Sequence, residues 1–262
     1  MKKIFFIIAC LFGFNAYAQN TFHEFSPGIG QSKIKNSFSI PAGMSGASYL
    51  IDYKFITPLK NRDFSFGLFT AADYARQTYP NPKDYFMFFH NANIKLGTFW
   101  LRRIPLNANN LNLFSGIGIS FSGSLIFTTQ KIYSVRTDAE SGYWYLSPDI
   151  IVAGNYTVGK FRFQSDMSLP IVCAGYFSRS YFPAGSTSAA VKRVLTPNSV
   201  YFLTKRFYPH ALLGVSYPFC ITSKTEWRIQ LKYAFESLVH TGFPSERKEM
   251  NALMLGMVWV LR

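Results

Sequence analysis

The sequence predicts an all-β chain, an antiparallel up-and-down barrel that crosses a membrane with about ten strands. Three observations predict it. The first is alternation. In Glu226–Glu236, EWRIQLKYAFE, the residues Trp227, Ile229, Leu231, Tyr233 and Phe235 share one parity, and Glu226, Arg228, Gln230, Lys232 and Glu236 share the other, with Ala234 the one apolar member of the polar set. Side chains of a strand point alternately to opposite faces, so one face is a bulky apolar band and the other is charged. The segment has the length of a tilted strand crossing a bilayer, roughly 9–11 residues. The second observation is composition: aromatic residues reach 18% while hydrophobic residues as a whole stay at an ordinary 48%. That balance suits a wall in which only alternate residues touch lipid. The third is the longest uncharged stretch, Leu111–Thr129. It alternates Leu111, Leu113, Ile117, Ile119, Phe121, Leu125 and Phe127 against Asn112, Gly116, Gly118, Ser120, Ser122 and Ser124, with Phe114 the exception. A period of two sustained this far predicts a strand and not a glycine-rich membrane helix.

The chain opens with the layout of a secretory leader. Lys2 and Lys3 precede the short apolar run Ile4–Phe14, and Ala16-Tyr17-Ala18 forms a small-x-small cleavage site before Gln19. A rival route is lipidation at Cys10, since Ile7-Ile8-Ala9-Cys10 loosely resembles a lipobox, but it leaves only Ile4–Ala9 as the apolar core. Either route exports the protein, so residues 1–18 are read as a signal peptide and 19–262 as one barrel. The formal net charge is +14, two units of it in the leader. Basic residues interleaved with aromatics also mark single-strand nucleic-acid binders. Export removes that partner and makes phosphate-bearing lipid headgroups the nearer polyanion. Cys173 and Cys220 follow the leader; they are expected near opposite ends of neighbouring strands and therefore as free thiols.

Taken in order, Thr21–Ser39 is a weaker strand because Pro27, Gly28 and Gly30 interrupt it, and Pro41-Ala42-Gly43 is a turn signal. Ala47–Ile56 alternates Tyr49, Ile51, Tyr53 and Phe55 outward with Ser48, Asp52 and Lys54 inward. Pro58 to Arg62 turns the chain. Phe64, Phe66, Leu68, Ala72 and Tyr74 then face lipid, opposite Ser65, Gly67, Ala71 and Asp73. Arg76–Asp84 is a loop, Tyr85–Trp100 returns with Lys95 inward, and Arg102 to Asn110 turns into the strand at Leu111. Thr128–Gly142 is polar, Tyr143–Tyr156 a strand, and Thr157-Val158-Gly159 a tight connection. Phe161, Phe163, Met167 and Leu169 alternate with Lys160, Arg162, Gln164, Asp166 and Ser168. Cys173–Ser199 is the longest irregular stretch. Val200–Phe219, Glu226–Glu236 and Met250–Arg262 close the barrel, the last two separated by a loop, His240–Glu249. The count is ten, or twelve if Cys173–Lys205 holds a further hairpin. Connections after even-numbered strands are mostly short and the others mostly longer, as in barrels whose short turns share one side of the membrane.

Aromatic-edged alternating strands behind an export leader, and a closing strand that runs through Trp259-Val260-Leu261-Arg262, resemble the small outer-membrane β-barrel proteins of Gram-negative bacteria. The resemblance is architectural and covers the whole chain, although a final strand of that family usually ends on an aromatic. It implies an outer-membrane location, insertion by the barrel-assembly machinery, and contact with outer-membrane lipid and lipopolysaccharide.

Asp52, Lys54, Asp73, Lys95, Arg162, Asp166, Arg228, Lys232 and Glu236 are the residues expected in the lumen. Both signs occur, so charge pairs across the bore are expected. Such residues either fill a narrow barrel or line a polar conduit. Arg179, Lys192 and Arg193, in the long stretch without acidic residues, are candidates for binding phosphate or an acidic partner. Lipid-cleaving outer-membrane barrels resemble one another in a His-x-Ser pair on a strand. Here His23, His90, His210 and His240 are followed two residues later by Phe25, Ala92, Leu212 and Gly242. No metal-ligand spacing and no cofactor motif is present. The leading functional reading is a non-enzymatic barrel for surface binding or envelope structure, with a narrow polar pore as a variant. Its rivals are a lipid-modifying hydrolase using His210 or His240 with a serine from another strand, and a secreted lipocalin-like barrel, whose apolar residues would point inward.

Overall fold

A computed structural model describes residues 21–36, 40–59, 63–78, 87–106, 110–130, 136–177, 197, 199–241 and 246–261. The elements are β1 Thr21–Asn36, β2 Ile40–Pro58, β3 Phe64–Thr78, β4 Met87–Ile104, β5 Leu111–Gln130, β6 Arg136–Val158, β7 Phe161–Pro170, β8 Val172–Phe177, β9 Ser199–Phe202, β10 Arg206–Phe207, β11 His210–Ile221, β12 Thr225–His240 and β13 Glu246–Leu261. Every pairing between them is antiparallel, and β1-β2-β3-β4-β5-β6-β7-β11-β12-β13 closes on itself where β13 pairs with β1. The ring therefore has ten staves.

The thirteen segments make ten staves because two staves are broken. β7 and β8 flank a bend at Ile171 and pair with successive parts of β6. β9 pairs with β8, β10 with β12, and β11 with both β7 and β12, so these three are pieces of the next stave. Within Cys173–Lys205 the described residues of β8 and β9 thus supply the upper ends of two staves, and among the described residues no further hairpin joins the ring. The first residues of that stretch, expected to be irregular, are strand: Cys173 and Gly175 share the bore parity of Tyr145, Tyr176 is buried on the other face opposite Trp144, and this pairing holds the segment in register with β6.

Other boundaries move for backbone reasons. Pro41-Ala42-Gly43, expected as a turn, lies within β2. The register with β1 shifts between Ile34 and Asn36, and Gly43 takes φ 75°, so the signal marks a bulge. Pro27 sits inside β1 opposite Ile51; the ladder to β13 is broken between Phe25 and Gly28, on the side where proline's missing N–H would have donated. β2, β5 and β6 reach 19, 20 and 23 residues. Polar stretches such as Thr128–Gly142 join the sheet in part, because a hairpin can keep satisfying backbone groups beyond the bilayer.

The wall is inside out. On β12, Ile229, Leu231 and Tyr233 are exposed while Arg228 and Lys232 are buried at 7% and 3%. Ile29, Ile117, Phe219 and Leu255 are more than half exposed, and exposed apolar residues continue around the ring. That much contiguous oil has no place in water, and lipid is the solvent that fits it. A lipocalin-like arrangement is excluded, since its apolar face would be the buried one. At one rim Thr21 pairs with Leu261, and the tight turns at Gly159 (φ 57°) and Thr222–Thr225 lie on the same side. Aromatic rings gather there: His23 stacks on Trp259 at 5.0 Å, Trp227 on Trp259 at 5.7 Å, and Phe161 meets Tyr217 at 5.2 Å.

Inside that rim, Phe99 lies over Gly67 and Phe69 over Gly97 in the β3–β4 ladder. A Cβ on Gly67 would come within 2.1 Å of the Phe99 ring, so glycine is required for the close approach. Phe99 packs with Leu101, Ile151 and Ala153 into an apolar cluster. Higher in the bore, Leu50, Leu212, Ala234, Met250, Ala252 and Met254 form another. Leu255 lies on the opposite face of the wall, paired with Leu231. Leu255→Arg should lower folding stability in bilayers by roughly 2–4 kcal/mol, whereas Leu255→Met should change it by less than about 1.5 kcal/mol. Reversible urea unfolding in lipid checks both.

Candidate functional site

The same parity that sends oil outward sends charge into the bore, where each ion needs a partner. Lys54 on β2 donates to Asp166 on β7 at 2.7 Å. These strands are five staves apart in a ring of ten, so this bond crosses the full diameter. Lys232 on β12 holds two carboxylates, donating to Glu24 on β1 and, at 2.6 Å, to Asp52 on β2. Asp73 accepts from Asn93 at 2.6 Å and faces Lys248 on β13 at 3.6 Å. Glu236 accepts from the Tyr208 hydroxyl at 2.8 Å and lies 3.5 Å from His210. Arg228 donates to Glu226 at 2.5 Å, to Ser216 at 3.0 Å and to the Lys160 carbonyl at 2.8 Å. Lys95 lies over the rings of Phe69 and Tyr208 at 5.6 and 5.8 Å, and Arg162 over Phe22 at 5.7 Å.

Of the residues expected in the lumen, Asp52, Lys95, Arg228, Lys232 and Glu236 are buried, and Lys54, Asp73, Arg162 and Asp166 partly so. They do not converge on one point. They form separate clusters at different heights, each satisfied by a neighbour across one or more staves. A cavity lined by Asp73, Asn93, Lys95, Tyr143, Tyr208 and Glu236 measures about 20 Å³, room for about one water. Above it, the Arg206 guanidinium lies 4.8 and 5.0 Å from the Tyr143 and Tyr145 ring centres, a cation–π contact that suits a buried arginine.

Glu24, Tyr208 and Lys248 are not among the expected residues; Glu226 is on the charged parity the sequence predicts but outside the expected lumen set. Glu24 belongs to the lumen parity of β1, with Ser26, Gly28 and Gly30, a pattern hidden by Pro27 and the glycines. Lys248 lies in the part of β13 read as loop. Tyr208 sits at the break between β10 and β11, where alternation gives no guidance.

The histidines divide between wall and bore. His23 and His90 face outward beside Tyr53 (3.0 Å) and Tyr74 (2.5 Å). His240 lies at the upper end, its Nδ1 3.1 Å from the Lys205 carbonyl and its ring edge-on to Tyr201 at 4.5 Å. His210 stands in register between Glu236 on β12 and Ser168 on β7, an acid–imidazole–hydroxyl order, yet no hydrogen bond joins it to Ser168. Both cysteines are free; Cys173 is buried in the bore and Cys220 exposed on the wall. Among the described residues no group of three or more His, Cys, Asp or Glu is placed to hold a metal ion. Arg179, Lys192, Arg193 and the leader with Cys10 lie outside the described residues.

Neither a family model nor a curated protein sequence matches the chain. Solved structures do align with it. The outer membrane protease OmpT of Escherichia coli has 11% identity and a TM-score of 0.48, over 94% of this chain and 98% of that one. Neisserial surface protein A has 12% identity and a TM-score of 0.32, over 90% and 95%. The attachment invasion locus protein Ail of Yersinia pestis has 9% identity and a TM-score of 0.34, over 92% and 99%.

Lys232→Met would leave Glu24 and Asp52 buried together without their cation, and should cost roughly 3–5 kcal/mol in urea unfolding from detergent micelles. Adding Glu24→Gln and Asp52→Asn should recover most of that loss; a triple variant no more stable than the single one would contradict the pairing. A closed ring of antiparallel staves, oily outside and ion-paired across its bore, is by its own geometry a membrane-spanning β-barrel.

Proposed function

We propose that this chain is a closed, non-enzymatic outer-membrane barrel that serves surface binding or envelope structure and does not conduct. The observation that carries the reading is the Lys54–Asp166 bond between opposite staves. A solute moving down the axis would have to part this pair and pass the Phe99, Leu101, Ile151 and Ala153 cluster beside the short-turn rim. Separating a desolvated ion pair leaves both charges uncompensated, which opposes opening by thermal fluctuation. Function then moves to the outer surfaces. The connection between β8 and β9, with Arg179, Lys192 and Arg193, is the proposed element for meeting lipopolysaccharide phosphate or an acidic partner. Insertion by the barrel-assembly machinery is part of the same reading.

Against a hydrolase stand the missing bond between Ser168 and His210 and the single-water space beside Glu236. A base and a nucleophile need hydrogen-bond contact and a place for the reacting carbonyl.

In planar bilayers the purified protein should give no unitary conductance steps; reproducible ohmic steps would overturn the closed reading. Incubated with phospholipid or lipid A, it should release no fatty acid. Turnover abolished by His210→Ala or Ser168→Ala would establish an enzyme instead.

A further inference from the structure

A cavity opens at the rim away from the tight turns, lined mostly by outward-parity residues of β1, β2 and β13. It measures about 350 Å³ and is lined by Lys33, Ile34 and Lys35 of β1, Gly43, Met44 and Ser45 of β2, and Arg247 and Glu249 of β13. The bulge at Gly43 makes the concavity, since the β1–β2 register slips there and the wall bends. Ile34 and Met44 pair with each other beneath it and bury their side chains on the bore side; Lys33, Lys35 and Arg247 are exposed around it.

Lys35 and Arg247 are direct partners across the β1–β13 ladder and share the outward parity. Like charges so placed repel and destabilise a strand pair. Arg247 is held by Glu249, with hydrogen bonds of 3.0 and 2.7 Å, and Glu249 in turn lies opposite Lys33. One carboxylate among three cations leaves an excess of two positive charges around a concave surface. A bound dianion would turn the repulsion into bridged attraction, and Arg247 offers a planar fork for phosphate oxygens.

The wall beneath says where the anion comes from. Down β1 the outward residues run Lys35, Lys33, Gln31, Ile29; down β13 they run Arg247, Glu249, Asn251, Leu253. Ile29 and Leu253 are paired and well exposed to lipid. The surface passes from cationic at Lys35 and Arg247 to oily at Ile29 and Leu253 over six residues, about 20 Å of strand. An amphiphile with phosphate at its head and acyl chains below matches this order, whereas a free phosphate uses only the upper part.

We infer that the Lys33–Lys35–Arg247 groove is a binding site for a phosphorylated glycolipid of the surrounding leaflet, with the phosphate between Lys35 and Arg247 and the acyl chains along Ile29 and Leu253. The site depends on the membrane orientation of the barrel and not on whether its bore is closed.

The test uses the full chain, purified in a neutral detergent, and three probes: a bis-phosphorylated acylated glucosamine disaccharide, its dephosphorylated form, and inorganic phosphate. Native mass spectrometry or tryptophan-fluorescence titration reads binding. The phosphorylated lipid should bind at least tenfold more tightly than the dephosphorylated one, and inorganic phosphate at least a hundredfold more weakly. Lys35→Gln with Arg247→Gln should remove the preference, while Lys224→Gln at the opposite rim keeps it. Because the double variant relieves a like-charge pair, without lipid it should unfold no earlier than the wild type, so a binding loss cannot be ascribed to misfolding. Equal affinity for the two lipids, or a preference that survives the double substitution, overturns the site. Full competition by inorganic phosphate at matched concentration overturns the lipid as its source.

Discussion

In hydrocarbon no water is present to satisfy a free N–H or C=O, so a sheet that enters the bilayer must have no edge. The β13–β1 pairing, which runs from Thr21 and Leu261 to Asn36 and Glu246, meets that demand for this chain. Much else follows from closure. Once the ring is shut, each stave has a lipid side and a bore side, and alternation along the sequence becomes segregation in space. The oily side needs nothing more than the membrane. The bore side must be neutralised within a few ångströms, and the staves do this by sharing counter-ions across the ring: Lys232 with Glu24 and Asp52, Lys248 with Asp73, and Lys54 with Asp166.

These contacts connect fold to function. A wider barrel could leave its charges to water and conduct. Here charges on opposite staves touch, and Phe99 and Phe69 occupy space vacated by Gly67 and Gly97. Glycines that weaken a strand locally therefore allow the bore to be packed. On the reading proposed above, recognition falls to the rim beyond the bilayer and to the outer face where oil gives way to charge. On that face the Gly43 bulge adds a concavity that a regular sheet would lack.

The sequence is most legible where one physical rule acts alone. In β12 alternation ran uninterrupted, and Arg228, Lys232 and Glu236 could be assigned to the bore directly. In β1 Pro27 and neighbouring glycines obscure the same rule, and with it Glu24, which completes the Lys232 cluster. Pro41-Ala42-Gly43 predicts a turn because the residues that favour turns also favour bulges; only the partner strand distinguishes the two. Strand ends ran longer than expected since pairing above the membrane needs no apolar residue. Which charge meets which was not legible, because Lys54 and Asp166 are 112 positions apart and only the closed ring brings them together.

That the bulky apolar parity faces lipid underlies every other feature of the barrel. It is tested most directly by placing one tryptophan at Leu231, with Trp100, Trp144, Trp227 and Trp259 replaced by phenylalanine, and refolding the protein into bilayers of chain-brominated phospholipid. That tryptophan should be strongly quenched, most by bromines near mid-chain, and little quenched by aqueous iodide. Fluorescence untouched by brominated lipid would put Leu231 inside the ring and contradict it.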